Sequence, residues 1–312
     1  MTTDPTPWPL LASLSRPLLG ANGTEAMAIL LARGGDPLVD YMKVGPFMGM
    51  PAVSVLAREY PLMLHLDDTL SGHKPLDDSR VNTLEDWVRL TGTPWTSEHL
   101  GFAVAETTLD ESLQLQPSSS GLSREVAMAN IARNARELRA ALPVPLLLEN
   151  VPLYPNIVHR HITEPAFIDD VLALAGCDLL LDLAHARVTA SVLGMAAEAY
   201  LEALPLDRVR EIHLSGPRPV DALSPSRQSL VRANARTVTG QIAFHDRCLI
   251  DAHEAMGETD YDLLAWALRR CRPLAVSLEY YRDAGRLSEQ LSRLREIIAR
   301  EGQRPETTFA MA

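Results

Sequence analysis

The chain alternates short, largely apolar and β-rich runs with longer stretches in which apolar residues recur every three or four positions. The short runs are VDYMKV from Val39, PLMLHL from Pro61, PWTSEHL from Pro94, VPLLLEN from Val144, CDLLLDL from Cys177, VREIHLS from Val209, RCLIDAH from Arg247 and LAVSLEY from Leu274. Several are apolar on consecutive rather than alternate residues, as parallel strands covered on both faces are. The periodic stretches predict helices over 53–59, 81–90, 124–141, 164–175, 196–204, 261–270 and 287–300, with Ser123 capping the third. Eight strands separated by helical connections predict an α/β fold, the (β/α)8 TIM barrel. An open doubly wound sheet would carry a glycine-rich phosphate loop after its first strand. This chain has VGPFMGMP there, so the barrel is preferred.

The barrel reading makes residues 1–302 one domain, with a proline-rich extension over 1–20 and a disordered tail over 303–312. The connection over 217–246 is longer than a barrel needs and holds several prolines and arginines and His245, which predicts a functional loop or lid.

The polar positions then add the chemistry. Of nine histidines, five (His65, His99, His185, His213 and His253) fall at or just past the C-terminal end of a predicted strand, and so do Glu149, Asp182, Asp251 and Glu279. That end of a TIM barrel is where active sites are built, so the nine side chains are expected to converge. His73, His159 and His161 fall elsewhere. Any one of the nine could be a hydrogen-bonded structural residue, but four carboxylates buried together need cations or must protonate. Divalent metals supply the charge, and imidazole with carboxylate and no thiolate suits zinc, iron or manganese. Asp182-Leu-Ala-His185 puts a carboxylate on a strand end and an imidazole on the turn above it, while Asp251-Ala-His253 has strand spacing toward one face. Asn150, Ser97 and Glu98 adjoin these positions and are candidates to orient them. Lys43, Arg187, Tyr154 and Tyr280 are candidates to contact substrate.

Composition narrows the function. The 312 residues carry a formal net charge of -11, which weighs against nucleic acid and anionic membranes as partners. The three cysteines show no CxxC spacing, no run is long enough for a membrane span, and the N-terminus lacks a signal-peptide pattern. A cytoplasmic protein with reduced thiols is expected.

The ordered set His65, His99, Glu149, Asp182, His185, His213, Asp251, His253, Glu279 resembles the trinuclear metal site of the type-IV apurinic endonuclease and xylose isomerase-like barrels. That resemblance implies one metal on His65, His99 and Glu149, a second bridged by Glu149 and held by Asp182, His213 and Glu279, and a third on His185, Asp251 and His253. The stretches HLDDTLSGHKPLD, TSEHLGFA, PLLLENV, LLLDLAHARVTASVLG, YLEALPLDRVREIHLSG, LIDAHE and SLEYYRD resemble, in order, the multinuclear non-haem iron-dependent oxidative enzymes, the family of the methanobactin-biosynthesis oxidase. This likeness spans about Pro61 to Asp283. It implies two or three irons, O2 as co-substrate, a ribosomally made precursor peptide as substrate, often modified at cysteine, and a small partner protein that captures the peptide leader. The chain departs from the family at several points. His185 stands where the family has an amide, Glu279-Tyr280-Tyr281 replaces Glu-Trp-Asp, and KVGPFMGM replaces an arginine- and histidine-rich loop. The same ligand set would serve a metal-dependent phosphodiesterase of the apurinic endonuclease kind or a sugar isomerase or epimerase. A metal-binding accessory protein with a dead site would show lost ligands, and none is lost.

Overall fold

The structure is a computed structural model that describes residues 8, 14–34, 38–66, 70–72, 78–109, 115–154, 157–159, 161–226, 228–229, 232 and 248–303. The strands in chain order are β1 (Leu18–Asn22), β2 (Tyr41–Val44), β3 (Leu62–His65), β4 (Thr96–His99), β5 (Thr107–Leu109), β6 (Leu115–Pro117), β7 (Leu146–Glu149), β8 (Asp178–Asp182), β9 (Val209–Leu214), β10 (Gly216–Pro219), β11 (Leu249–Glu254) and β12 (Ala275–Leu278). Eight of them close a parallel barrel in the order β1-β12-β9-β8-β7-β4-β3-β2, ringed by helices, which is the (β/α)8 TIM barrel expected from the pattern. Two antiparallel pairs, β5-β6 and β10-β11, lie outside it.

Two strand assignments from the sequence are corrected. RCLIDAH forms β11, but it pairs antiparallel with β10 rather than entering the barrel. Its place beside β9 is taken by β12, whose Ala275 aligns with Glu211. The missing barrel strand is LLGAN, β1, which the sequence reading left largely within the N-terminal extension. Gly20 lowers its strand propensity, and the structure explains that glycine. A Cβ there would lie 2.3 Å from the Tyr41 ring, which crosses the barrel interior. Helices Glu25–Ala32 and Leu183–Leu193 were also missed, the second because it begins directly at the end of β8. Ser123 caps its helix as expected, its hydroxyl accepting from Val126 N.

Strand alternation sorts the side chains. Leu19, Met42, Leu62, Leu64, Leu148, Leu181, Ile212 and Val276 pack outward into the core under the helices. Leu18, Tyr41, Met63, Trp95, Leu147, Leu180 and Ala275 form a separate apolar cluster inside the barrel, packed against Trp8. Two residues further along, the interior turns polar: Lys43 follows Tyr41, His65 follows Met63, Ser97 follows Trp95 with His99 two beyond it, Glu149 follows Leu147, and Asp182 follows Leu180. The functional residues therefore stand on a dry apolar plug. Residues 304–312 of the proposed tail over 303–312 lie outside the described residues, as do 227, 230–231 and 233–246 of the long connection and residues 67–69 and 73–77 of the HLDDTLSGHKPLD stretch. Among the described residues, no helix is long and apolar enough to cross a membrane.

Candidate metal centre

All nine strand-end residues meet at one end of the barrel. His65, His99, Glu149 and Asp182 are the last residues of β3, β4, β7 and β8. His213 is the penultimate residue of β9 and Glu279 directly follows β12, its N–H donating to Leu214 O at 2.7 Å. Asp251 and His253 arrive from the other direction, on the β10-β11 hairpin folded over the rim.

Glu149 is the hub. Its Oε2 lies 3.6 Å from His65 Nε2, and its Oε1 lies 3.4 Å from His213 Nδ1 and 3.6 Å from His185 Nδ1. Two groups here could hold a metal ion: His65, His99 and Glu149, and Glu149, Asp182 and His213. In each, the donor atoms lie within 4.8 Å of one another, and Glu149 is common to both. Glu279 Oε1 lies 3.4 Å from His213 Nδ1, while its Oε2 lies 3.0 Å from His253 Nε2. Asp251 Oδ2 lies 3.5 Å from His185 Nε2 and 3.4 Å from His253 Nδ1.

Hydrogen bonds on the far atoms orient several of these groups. His65 Nδ1 shares a hydrogen bond with Ser97 Oγ at 2.8 Å, so Nε2 faces Glu149. Asp182 caps its helix, Oδ1 accepting from His185 N at 2.7 Å. Asn150 locks this corner: its Nδ2 donates to Asp182 O at 3.0 Å, its Oδ1 accepts from Asp182 N at 2.8 Å, and its carbonyl oxygen bonds His185 Nδ1 at 2.8 Å. What remains is informative: Glu149 Oε2, Asp182 Oδ2 and His213 Nδ1 are buried and have no hydrogen-bond partner. Buried polar atoms are almost always satisfied, so three converging atoms without partners fit a bound cation, once His213 has released its proton.

The charges agree. Burial would raise the Glu149 carboxyl, yet His213 and His99 hold it well below the usual carboxylate range. Burial would lower His213 and His253, and Lys43 adds to that at His213, but the surrounding carboxylates outweigh it and push each ring up to about 10. Burial raises Asp182 to about 6, with Glu149 and Glu279 adding to it. His65 is drawn down to about 3 by burial and stays neutral.

The other sequence candidates divide. Lys43 is 3% exposed and faces inward, its Nζ 2.7 Å from Glu211 Oε1 and in close contact with His213 Nε2, so it supports His213 from behind instead of meeting substrate. Glu98 points to the other side of its strand, fully buried, and accepts from His99 N at 2.8 Å. Arg187 is ion-paired to Asp260. Tyr154 OH accepts from Asp251 N at 2.8 Å, and Tyr280 is buried while its neighbour Tyr281 lines the cavity. Glu211 was missed. It accepts from Lys43, Trp95 Nε1 at 2.8 Å and Ser277 Oγ at 2.9 Å. Its signal was available: Glu211 precedes His213 by two on one strand and so shares its face. The site opens into a cavity of about 430 Å3 lined by Asn22, Gly23, Thr24, Phe47 and Tyr281 together with His65, His99, Glu149, His185, Asp251, His253 and Glu279.

The family model described as RiPP precursor modification enzyme MbnB/TglH/ChrH matches residues 40–300. A UPF0276 protein of Paraburkholderia phytofirmans is 33% identical over 180 residues, covering 57% of this chain and 56% of the relative. A UPF0276 protein of Bordetella pertussis is 30% identical over 237 residues, covering 74% and 73%. The match thus spans little more than half the length of the first of these relatives. Among solved structures, a D-tagatose 3-epimerase-like protein superposes with a TM-score of 0.50 at 11% identity, covering 90% of this chain and 97% of the other. A xylose isomerase domain-containing protein of Salmonella typhimurium gives 0.49 at 16%, covering 92% and 96%. At 11% identity the likeness to the epimerase-like protein is one of fold alone, the closed parallel barrel with its helices. With more than half its length matched by the family model, the chain belongs to the MbnB/TglH/ChrH family of RiPP precursor modification enzymes.

Proposed function

We propose that this protein is a multinuclear non-haem iron oxidase that uses O2 to modify a ribosomally made precursor peptide, often at a cysteine, in natural-product biosynthesis. The carrying observation is the set of buried, unpartnered donor atoms on Glu149, Asp182 and His213 inside a nine-residue cluster of imidazoles and carboxylates. In this reading His65, His99 and Glu149 hold one metal, Glu149, Asp182, His213 and Glu279 a second, and His185, Asp251 and His253 a third. Iron bound there would supply one-electron redox chemistry toward O2, with zinc or manganese as competing occupants.

The protein's own residues supply position and charge. Asn150 and Ser97 fix ring and carboxylate orientation, and the apolar plug beneath Lys43 and Glu211 keeps water out of the barrel interior. Among the described residues lining the cavity there is no Lys or Arg, which favours a peptide over a phosphodiester. A small leader-binding partner and action in the cytoplasm, where three free buried cysteines stay reduced, complete the proposal.

The test is anaerobic reconstitution with Fe(II), then O2 with a candidate precursor peptide. O2 consumption coupled to a mass change at the peptide cysteine is expected. Tight zinc occupancy with no oxygen reactivity, or cleavage of abasic DNA, would overturn the reading.

A further inference from the structure

The residues that can hold metal occupy only part of the rim. They come from β3, β4, β7, β8, the helix Leu183–Leu193 that follows β8, β9, the end of β12 and the β10-β11 hairpin. Strands β1 and β2, adjacent in the barrel between β12 and β3, end instead in Asn22 and Val44. The loops after β12, β1 and β2 therefore form one continuous arc beside the metal-type residues. That arc contributes Tyr281, then Asn22, Gly23 and Thr24, then Phe47 to the cavity wall.

Its composition is unlike that of a solvent-facing rim. Phe47 is 74% exposed and Tyr281 49%, and among the large hydrophobic residues described as exposed these two line the cavity. Exposed aromatic side chains at a concave site mark contact surfaces. Phe47 is also held in place. It sits on a short 3-10 turn, Pro46–Met48, between Gly45 and Gly49, and Gly49 has φ +76°. A Cβ on Gly45 would lie 2.5 Å from the Phe47 ring and 2.9 Å from the His65 carbonyl oxygen, so glycine at this position leaves room for the ring to pack back onto the Gly45 backbone. A Cβ on Gly23 would come within 3.2 Å of Met48, so the neighbouring loop packs closely against the same turn. Tyr281 is set against the opposite flank, its ring centroid 6.0 Å from that of His253. The part of the described lining that this arc supplies offers an aromatic pair and small residues, with no Lys or Arg.

We propose that Phe47 and Tyr281, with Asn22, Gly23 and Thr24 between them, form a subsite for an apolar side chain of the peptide, next to the residue presented to the metals. This rests on the peptide-oxidase reading and deepens it by naming a specificity determinant. Burying such a side chain against two aromatic rings is worth about tenfold in affinity over glycine.

The experiment measures binding of capped tripeptides acetyl-X-Cys-Gly-amide, with X as Leu, Gly or Lys, to the zinc-loaded full chain by calorimetry, alongside the Cys-to-Ser peptides. The proposal expects the Leu peptide to bind about tenfold more tightly than the Gly peptide, with Lys weaker than Leu. Phe47→Ala and Tyr281→Ala should each cut that preference to about threefold or less, and Phe47→Leu should retain it. Neither alanine variant should alter the Cys-to-Ser ratio. Both positions are exposed, so loss of folding is not expected, and circular dichroism checks it. Equal affinities for Leu and Gly peptides, a preference that survives both alanine variants, or no binding by any of these peptides overturns the subsite. A retained Leu preference with equal Cys and Ser affinities supports the subsite and counts instead against oxidation at cysteine.

Discussion

Lys43→Met removes one cation from the interior of the barrel, and its cost can be worked from the contacts. Lys43 and Glu211 are 3% and 0% exposed, with Nζ 2.7 Å from Oε1. Burial alone would raise the Glu211 carboxyl, but Lys43 and His213 outweigh burial and hold it well below the usual range. Breaking a buried pair from one side costs about 3–5 kcal/mol, because the remaining charge is left in a low dielectric. Trp95 Nε1 at 2.8 Å and Ser277 Oγ at 2.9 Å still donate to Glu211, which places the expected loss at the lower end, about 3 kcal/mol. That is a large part of a typical folding free energy and corresponds to a fall in Tm of roughly 6 °C for a domain of this size.

The pH dependence has a definite sign. A carboxyl whose folded pKa is depressed contributes stability above its unfolded value, about 4.3, and loses it as pH falls through the folded value. Lys43→Met raises that folded value, so acid unfolding should begin at higher pH. The assay is urea denaturation of chelator-treated protein followed by circular dichroism, repeated for Lys43→Met with Glu211→Leu. The double variant should recover most of the loss, since no charge is left stranded. A single-variant cost below about 1 kcal/mol, or a double variant no more stable than the single, would refute the reasoning.

Asn150→Ala should cost about 2 kcal/mol, by stripping both side-chain hydrogen bonds from the buried Asp182 backbone, and should lower metal content by elemental analysis. Because His213 and His253 are held up to about 10, both carry a proton at neutral pH, and a ring must release it to bind metal. Metal affinity should therefore rise with pH and binding should release protons, which calorimetry in buffers of different ionisation heat would measure. Gly20→Ala places a methyl 2.3 Å from the Tyr41 ring, which is tied to Ser277 Oγ at 2.6 Å. A loss of about 1–3 kcal/mol in denaturant melts is expected, and an unchanged midpoint would contradict the packing described.

Much of this site could be read from the chain because strand-end position is a local property. His65, Glu149 and Asp182 each follow an apolar run directly, His99 ends the strand segment PWTSEH, and the barrel rule says where such residues go. The contributions that sequence hid depend on distant partners. Lys43 looked like a rim residue, and only the closed barrel brings its ammonium behind His213. Asp251 and His253 are one strand, as read, but the hairpin pairing that swings them over the rim is set by β10. Gly20 weakened the local signal of the first barrel strand for a reason located at Tyr41. Phe47 carried no sequence mark at all, since an aromatic residue in a loop shows its role only once its exposure and neighbours are known.

The most direct test of the central claim is the metal count of the anaerobically Fe(II)-reconstituted protein and its Glu149→Ala variant, by elemental analysis with Mössbauer spectroscopy. Glu149 is common to two of the donor groups. The account predicts two or three irons in the native protein, in coupled environments, and the loss of two of those sites in the variant. A single isolated iron in the native protein, or an unchanged iron count in Glu149→Ala, would contradict it.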